Sequence, residues 1–443
     1  MKLLLISPPF CTPASPPYAL ANLYTFLKNN SNLEIELLDL NLEFHKLKYP
    51  QFKKFFQTLP ENYEETSREY SKLTTKDYSE NNKKVLHGED PELLKELLTL
   101  IKKQKADYIA FSLVYSSQAF YTLALLKQLK NTIVGGPAVN DKVKQAATNY
   151  MANEVDLLKF LTKTTINMTT LNCNITLDFS KLPLKDYFVK TLVLPIRTTS
   201  ACFYQQCTFC NHHGNRKYYE YSLEEIKQTI INSKAKQFFF IDDMISKKRL
   251  LQIAELLDPL NVKWMCQLRP TKDLDKETLT KLYRAGLRVV IWGVESANNR
   301  ILKLMKKGTN KEDLQMVLQD SHEIGIKNVL YIMFGFPTET KEDFLETIDF
   351  LKDNTTIIDL ISTSTFGLQK NTPIYKNPQQ FLITKIEEHS RTILEPKITY
   401  QIKEGLTQEE AELLKKHHKL TLERINKYPK QMNLFREHLL NVS

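Results

Sequence analysis

The segment TLVLPIRTTSACFYQQCTFC (residues 191–210) joins a short apolar run to a loop with three cysteines, and the fold of the second half of the chain can be traced outward from it. Its apolar part predicts a buried strand. Five more apolar runs follow, separated by stretches with helical spacing: QFFFIDD, VKWMCQLRP, LRVVIWGVES, IKNVLYIMFGFPTET and IIDLISTSTF. Strands that alternate with helices in this way predict a partial (β/α)6, TIM-like barrel with its chemistry at the carboxyl ends of the strands.

The first part of the chain shows a similar alternation. Apolar runs predict strands in KLLLISP, LEIELLDLN, DYIAFSLVY and NTIVGGP. This order predicts an α/β domain over residues 1–165 with a doubly wound, Rossmann-like parallel sheet, in which ligands bind at the carboxyl ends of the strands. Gly135 and Gly136 lie at such an end, where small residues allow a bound group to approach the backbone. Residues 44–90 are polar and lack clear periodicity, so they are interpreted as an insertion.

Three further segments complete the predicted domain organisation. Residues 166–192 have turn chemistry and predict a linker. Residues 193–385 form the barrel domain. Residues 386–443 are charged and have helical spacing, which predicts a small helical C-terminal region.

The composition is that of an ordinary globular protein, with 42% hydrophobic and 25% charged residues. The formal net charge is +10, but no long block of like charges occurs, which favours a solvated surface over a nucleic-acid interface. The first apolar run is too short for a signal peptide, and no run reaches the roughly 18 residues that cross a bilayer. We therefore expect a cytoplasmic protein without a membrane or nucleic-acid partner, in which clustered cysteines indicate metal binding or catalysis.

Three kinds of site are compatible with the clustered cysteines Cys202, Cys207 and Cys210. His212 or His213 would complete a Cys3His zinc site, as in a zinc-stabilised module that binds nucleic acid. An electron-transfer iron–sulfur cluster normally uses four thiolates, and nothing in the sequence identifies a fourth ligand. Three thiolates on a four-iron cluster would instead leave one iron open to a small molecule with an amine and a carboxylate. Packing roles are assigned to the isolated cysteines, Cys11, Cys173 and Cys266.

Further motifs accompany the cysteine loop in order along the chain. FFIDDM follows the second strand of the barrel, WGVESANNRILKLMKKGT surrounds the fourth, FGFPTET follows the fifth, LPLKDYF precedes the barrel and NTPIYKNP follows its last strand. With these motifs the sequence resembles radical S-adenosylmethionine (SAM) enzymes of the subgroup with an N-terminal cobalamin-binding-like domain. The cysteine spacing, C-x4-C-x2-C, is one residue longer than the usual C-x3-C-x2-C and resembles that of many members of this subgroup.

The resemblance implies a [4Fe-4S] cluster held by Cys202, Cys207 and Cys210, with SAM bound to the remaining iron through its amine and carboxylate. It implies reductive cleavage of SAM to methionine and a 5′-deoxyadenosyl radical, which abstracts hydrogen from an unknown substrate. It also implies an electron donor such as flavodoxin or ferredoxin. Phe209 matches the family's aromatic neighbour of the SAM adenine.

The resemblance also implies protein contacts to SAM. Asp242 or Asp243 would accept hydrogen bonds from its ammonium or ribose. Glu295, after Gly293, is a candidate to accept hydrogen bonds from the ribose hydroxyls or the amine of SAM. Arg269 would pair with the SAM carboxylate.

Cobalamin is the third cofactor that the resemblance suggests. The family's D-x-H-x-x-G motif, which supplies a histidine ligand, is missing, and His45 is not followed by the required glycine. We expect any cobalamin to bind without a histidine ligand, near Gly135 and Gly136. With cobalamin the reaction would be methyl transfer; without it, radical modification of a peptide or small molecule is the alternative.

Overall fold

The computed structural model describes residues 1–59, 61–164, 171–172, 176–211 and 217–442. His212, His213 and Cys173, singled out above, lie outside these ranges. The chain divides into two compact units. The first comprises Met1–Pro195, Glu224–Ala235 and Ser390–Glu395, and the second comprises Ile196–Leu223, Lys236–His389 and Pro396–Ser443.

The first unit is built on a five-stranded sheet with the order β2-β1-β3-β4-β5. Its strands are β1 (Lys2–Ser7), β2 (Glu34–Asp39), β3 (Tyr108–Ser112), β4 (Thr132–Gly135) and β5 (Asn149–Met151). Every adjacent pair is parallel, which confirms the predicted doubly wound sheet. β1 is buried along nearly its whole length, as expected for an interior strand of a parallel sheet.

Eight helices accompany this sheet in the described residues: α1 (Tyr18–Asn30), α2 (Leu40–Lys48), α3 (Pro50–Thr58), α4 (Tyr63–Leu86), α5 (Leu94–Lys103), α6 (Ala119–Leu126), α7 (Asp141–Ala146) and α8 (Glu154–Thr162). Most of α9 (Leu223–Ser233) also belongs to the first unit. The described residues of the predicted linker, 171–172 and 176–192, contain neither helix nor strand.

Residues 44–90, which lack clear periodicity in the sequence, are helical over most of their length because they include α3, α4 and part of α2. Aromatic side chains hold these helices together. The ring of Tyr70 lies 5.0 Å from that of Phe52 and 5.3 Å from that of Phe56, measured between centroids. Tyrosine has a polar hydroxyl, so a helix face built from tyrosines gives only a weak periodic signal when apolar residues are counted. Its ring nevertheless packs as well as that of phenylalanine.

The second sheet has six strands in the order β11-β10-β9-β8-β7-β6. They are β6 (Val193–Ile196), β7 (Gln237–Phe240), β8 (Lys263–Leu268), β9 (Leu287–Glu295), β10 (Lys327–Phe334) and β11 (Leu360–Thr365). The pairs from β7 to β11 are parallel, and the spatial order is that of the chain. The predicted partial (β/α)6 barrel is confirmed, and the carboxyl ends of its strands lie along one edge.

The helices between and after these strands are α10 (Lys247–Leu257), α11 (Lys276–Arg284), α12 (Asn299–Leu304), α13 (Lys311–Ile324), α14 (Lys341–Asp353) and α15 (Pro373–Lys376). Local sequence explains their ends. Asp275 accepts a hydrogen bond from an amide in the first turn of α11. Gly286, with φ of +96°, follows this helix, and a Cβ there would lie 1.9 Å from the carbonyl oxygen of Val262.

The C-terminal region begins with a hairpin and not with a helix, so the prediction of a helical region from residue 386 is wrong at its start. The antiparallel strands are β12 (Ile383–His389) and β13 (Lys397–Ile402). Their exposed positions are polar or charged, and such residues alone do not distinguish a strand from a helix. Helices follow as expected: α16 (Gln408–His417), α17 (Lys419–Ile425) and α18 (Glu437–Asn441). Among the described helices, none combines the length and apolar character that a membrane crossing requires.

Candidate cofactor site at the cysteine loop

The cysteine loop, residues 197–222, connects β6 to α9 and so begins at the carboxyl edge of the second sheet. Cys202, Cys207 and Cys210 are half-buried and form no disulfide. The amide of Cys210 donates to the carbonyl of Cys207 at 3.4 Å, which turns the chain between these two residues. Three thiols are thus held on one short, partly accessible segment.

The two ends of the loop pair with each other, and this paired part is called the neck (residues 198–200 and 217–221). Thr199 and Glu220 form an antiparallel bridge at its centre. Backbone hydrogen bonds flank the bridge: Ser200 to Tyr219 (2.9 Å) and Tyr221 to Thr198 (3.0 Å). The cysteines therefore lie on a loop that is closed at its base.

Asp242, just after β7, binds one side of the neck. Its Oδ1 accepts from the amides of Thr198 (2.8 Å) and Thr199 (2.6 Å) and from the Thr199 hydroxyl (2.8 Å). The carboxyl is fully buried, and burial raises its pKa above the usual value although these hydrogen bonds act to lower it. Its Oδ2 has no hydrogen-bond partner among the described residues. The neighbouring Asp243 is half-buried and lies 3.7 Å from the guanidinium of Arg197.

The middle of the cysteine loop lies against residues 304–307, the last residue of α12 and the three that follow it, which are called the seat. The amide and the hydroxyl of Thr208 donate to the carbonyls of Met305 (3.0 Å) and Leu304 (3.1 Å). The Tyr204 hydroxyl donates to the carbonyl of Lys306 at 2.8 Å. The last carbonyls of a helix have no partner within the helix, so the loop satisfies groups that would otherwise need water.

Arg269, which follows β8, completes the contacts to the seat. Its Nη1 donates to the carbonyl of Lys307 at 3.0 Å, and its guanidinium lies 3.5 Å from the centroid of the Tyr204 ring. Its Nε is buried without a hydrogen-bond partner among the described residues. Gly308 makes this packing possible, because a Cβ there would lie 2.3 Å from the Tyr204 hydroxyl oxygen.

A buried ion pair lies beside the seat. Nζ of Lys307 is 2.9 Å from Oε1 of Glu295, at the end of β9, and both side chains are mostly buried. The same Nζ lies 5.7 Å from the centroid of the Phe209 ring, and a Cβ on Gly293 would approach it to 2.9 Å. Burial alone would lower the pKa of Lys307, but Glu295 and Cys207 raise it above the usual value, so the amine stays charged.

The thiol of Cys207 is electrostatically coupled to these groups. Burial raises its pKa, Lys307 and Arg269 act to lower it, and Cys202 and Glu295 act to raise it further. Cys207 is therefore close to one more cysteine of the loop and to three charged side chains. The net effect raises the pKa of Cys207, and the two positive groups offset part of the effect of burial, which helps the deprotonated form that binds metals.

The chemistry of the donor set fits an iron–sulfur cluster, because thiolates are the soft ligands that such clusters require. In the described part of the chain, no three His, Cys, Asp or Glu side chains are grouped around one point as a single metal ion requires. A four-iron cluster attaches each thiolate to a different iron. The Cys3His zinc alternative is not tested by this geometry, since His212 and His213 lie outside the described residues.

Four of the predicted site residues lie together with the loop cysteines: Phe209, Arg269, Gly293 and Glu295. Asp242 lies instead at the neck, and Asp243 lies beside Arg197, just before the neck. The sequence reasoning missed Lys307. The available signal was a lysine shortly after a short helix, where that helix itself follows a barrel strand ending in a glutamate. This arrangement places opposite charges at one edge of the sheet.

The glycines predicted to bind cobalamin are involved in packing within the first unit. Gly136 has a φ of +110°, and a Cβ there would lie 2.2 Å from the carbonyl oxygen of Leu113. A Cβ on Gly135 would lie 3.1 Å from the carbonyl oxygen of Met151. The chain itself thus requires small residues at both positions, and their contact with a cofactor stays a prediction.

His45 is buried in α2, with 1% of its surface exposed. Its Nδ1 lies 2.7 Å from the hydroxyl of Tyr70, and burial lowers its pKa to about 3. A neutral imidazole enclosed in this way has no open face for a cofactor.

Residues 196–351, which contain strands β7 to β10, the cysteine loop and the seat, match the family model described as the Radical SAM superfamily. This segment is therefore a radical SAM domain, and the resemblance drawn from the motifs is confirmed.

Curated relatives match only part of the chain. Bacteriochlorophyllide d C-12(1)-methyltransferase of Chlorobaculum tepidum is 29% identical over 173 residues, which cover 37% of this chain and 38% of that protein. The ribosomal protein uS12 methylthiotransferase RimO of Caldicellulosiruptor saccharolyticus is 29% identical over 169 residues, 36% of this chain and 37% of that one. The matched segments thus span less than two fifths of either relative.

Solved structures match the fold over nearly the whole chain. The radical SAM methyltransferase TsrM from Kitasatospora setae, with tryptophan and a SAM analogue bound, has a TM-score of 0.65 and 14% identity, and the match covers 96% of this chain and 89% of that one. The cobalamin-dependent radical SAM enzyme OxsB, with aqua-cobalamin and SAM bound, has a TM-score of 0.61 and 15% identity, covering 100% of this chain and 71% of that one. The fold is therefore that of cobalamin-type radical SAM enzymes.

Proposed function

We propose that this chain is a radical SAM enzyme that binds a [4Fe-4S] cluster through Cys202, Cys207 and Cys210. The observation that carries the proposal is the packing of the cysteine loop on the seat, beside the buried Glu295–Lys307 pair, in a segment that matches the radical SAM family model. Bound there, the cluster would supply one electron to the sulfonium of SAM, which would yield methionine and a 5′-deoxyadenosyl radical.

The charged side chains near Cys207 complement the amino-acid end of SAM, which carries an ammonium and a carboxylate. Glu295 offers an acceptor for the ammonium. Arg269 offers a donor for the carboxylate, because its buried Nε has no partner among the described residues. Charge-assisted hydrogen bonds of this kind are roughly twice as strong as neutral ones.

Lys307 takes two positions in this proposal. In the structure its ammonium pairs with Glu295 at 2.9 Å, where the ammonium of SAM would bind. The ligand would displace it, and Lys307 would then pair with the ligand carboxylate or with a cysteine thiolate. Exchange of one ion pair for another keeps the buried Glu295 compensated, which avoids the cost of an unpaired buried charge.

Phe209 forms the apolar side of the site. It packs against a buried cluster in the second unit: Ile301, Met305, Phe336, Phe366, Leu368, Ile374, Phe381 and Ile383. An aromatic ring supported in this way offers a stacking surface for the adenine of SAM and excludes water from the reacting groups.

Anaerobic reconstitution with iron and sulfide tests the proposal. We expect about four iron atoms per chain, a brown protein with broad absorbance near roughly 400 nm, and 5′-deoxyadenosine after addition of SAM and dithionite. A colourless protein that retains one zinc ion and no iron would contradict the proposal and favour the zinc-stabilised, nucleic-acid-binding alternative.

We further propose that the radical chemistry serves methyl transfer. The support is that one matched relative is named as a methyltransferase, another as a methylthiotransferase, and that the fold is shared with TsrM and OxsB. The substrate is unidentified. The electron would come from a donor such as flavodoxin or ferredoxin.

Cobalamin would bind at the carboxyl edge of the first sheet. Val114 and Tyr115, two and three residues after the end of β3, are 39% and 56% exposed and offer apolar surface to a corrin ring. Gly135 ends β4 at the same edge, and Gly136 follows it. His45 is buried, so we propose that cobalamin is held without a histidine ligand from α2.

Reconstitution with hydroxocobalamin tests this part of the proposal. We expect about one cobalt per chain after desalting, and the same amount in the His45→Phe variant, which keeps an aromatic ring in the packing around α2. Cobalt and the visible spectrum are the readouts. Cobalt lost only in the variant would show that His45 is a ligand. No cobalt in the unmodified protein would favour cobalamin-free radical modification of a peptide or small molecule.

A further inference from the structure

Two buried residues of opposite charge hold the neck of the cysteine loop. We infer that Asp242 and Arg249 form a clasp that keeps the two ends of the loop in register, so that the three thiols are presented together to a cluster. Both are positioning residues and act through the backbone of the loop. The inference rests on the proposed function, because it assigns the clasp a role in cluster binding.

Arg249 contacts both ends of the neck. Its Nη2 donates to the carbonyl of Thr198 at 3.3 Å and also to the carbonyl of Tyr221. Its Nη1 lies 3.8 Å from the carboxylate of Glu220. The side chain is only 3% exposed. The guanidinium of Arg249 thus contacts both strands of the neck: Thr198 in the first, and Glu220 and Tyr221 in the second.

Asp242 binds the same peptide segment from its amide side. It accepts from the amides of Thr198 and Thr199, whereas Arg249 binds the carbonyl of Thr198. The two charges also influence each other. Burial lowers the pKa of Arg249, while Glu220 and Asp242 raise it. Thr198 is therefore held at both its amide, by Asp242, and its carbonyl, by Arg249.

The local sequence position of Arg249 is unfavourable, which suggests that the loop requires it. Ser246 caps α10 by accepting from the Arg249 amide at 3.2 Å, so Arg249 lies in the first turn. A positive charge there opposes the helix dipole, and its burial adds a desolvation cost. The adjacent Lys248 is exposed and avoids this cost. Violations of local rules are expected at functional sites.

The clasp has a physical task because the loop is long. About 20 residues lie between Thr199 and Glu220, and closing a loop of that length costs conformational entropy. A cluster needs its three thiolates at fixed mutual positions. Contacts that close the neck in advance reduce the ordering that cluster binding would otherwise have to supply.

Hydrogen exchange of the iron-free protein tests the clasp without requiring a bound cluster. In Arg249→Met and Asp242→Asn, we expect the amides of Thr199 and Tyr221 to exchange at least about tenfold faster, the size of effect that loss of a charged hydrogen bond gives. Amides of β9 should keep their protection. The matched controls, Lys248→Met and Asp273→Asn, change exposed residues and should exchange like the unmodified protein.

Iron retention is the second readout. After reconstitution and exposure to a chelator, both clasp variants should lose iron at least about tenfold faster than the controls. Arg249→Lys, which keeps the charge but not the two-pronged contact, should show the same change in weaker form and is the variant to use if Arg249→Met unfolds.

Three results would overturn the inference. The first is that the neck amides of both Arg249 variants exchange hydrogen at the same rate as those of the unmodified protein. The second is loss of β9 protection in every variant, because the pair would then be part of the general core. The third is full iron retention with weakened SAM binding in Asp242→Asn, which would make Asp242 a SAM contact. Failure of the proposed function is distinct, since it would show as absence of iron from the unmodified protein.

Discussion

Replacement of Cys207 by alanine is expected to abolish the cluster and SAM cleavage, with less than about a tenth of the normal iron left after desalting. The same result is expected for Cys202→Ala and Cys210→Ala. With three protein thiolates on a four-iron cluster, no spare ligand exists to take over the lost bond. Iron content, visible absorbance and 5′-deoxyadenosine formation are the measurements.

Cys266→Ala and Cys11→Ala are the controls for the cysteine variants. Cys266 lies fully buried in β8, and its burial raises the pKa of its thiol well above the usual value, which suits a packing residue and not a ligand. Cys11 lies in the first unit, outside the cysteine loop. Both variants should keep normal iron. If Cys266→Ala lost iron as completely as Cys207→Ala, the assignment of three ligands would be wrong.

Glu295→Gln is expected to weaken SAM binding about tenfold to a hundredfold while the iron content stays normal. The substitution keeps the shape of the side chain but removes the charge that would receive the ammonium of SAM. A hydrogen bond to a charged group is worth roughly 1.5–3 kcal/mol, which corresponds to this range of affinity. Binding of SAM to the reconstituted protein, measured by equilibrium dialysis, is the readout.

Lys307→Met should raise the Kd for SAM by a smaller factor than Glu295→Gln. It removes a partner for the ligand carboxylate, but it also frees Glu295 from its internal ion pair. The matched control is Lys303→Met, because Lys303 is an exposed lysine of α12. Unchanged affinity in both the Glu295 and the Lys307 variants would remove this pair from the SAM site.

Much of the fold follows from the sequence because the barrel strands are short apolar runs separated by helices of regular period. Their order in the sheet is simply their order in the chain. The position of the cysteine loop follows too, since it comes directly after the first of these strands. Local signals such as Asp275 and Gly286 mark helix ends through chemistry that involves only neighbouring residues.

The rest depends on contacts between residues far apart in the chain. The seat forms because the side chains of Thr208 and Tyr204 donate to carbonyls 96 and 102 positions later in the chain. Backbone carbonyls occur at every residue, so no sequence pattern marks these acceptors. Arg249 reaches the neck through its first-turn position, which a helix pattern alone would leave exposed. The helices of residues 44–90 are held by aromatic side chains packed against one another. Because many of these are tyrosines, the helical periodicity of hydrophobic residues in this segment is weak.

The spacing of the cysteines is tied to a glycine far away in the chain. Tyr204 lies in the four-residue spacer between Cys202 and Cys207, and its hydroxyl occupies space that a side chain at position 308 would need. Gln205, the next residue, adopts a left-handed backbone with φ of 49°, which reverses the chain after the tyrosine. A cysteine loop transplanted from a protein with the shorter spacer would lack this anchor. Interchange of such loops between homologues should therefore succeed only when the loop and the turn at Gly308 are exchanged as one unit.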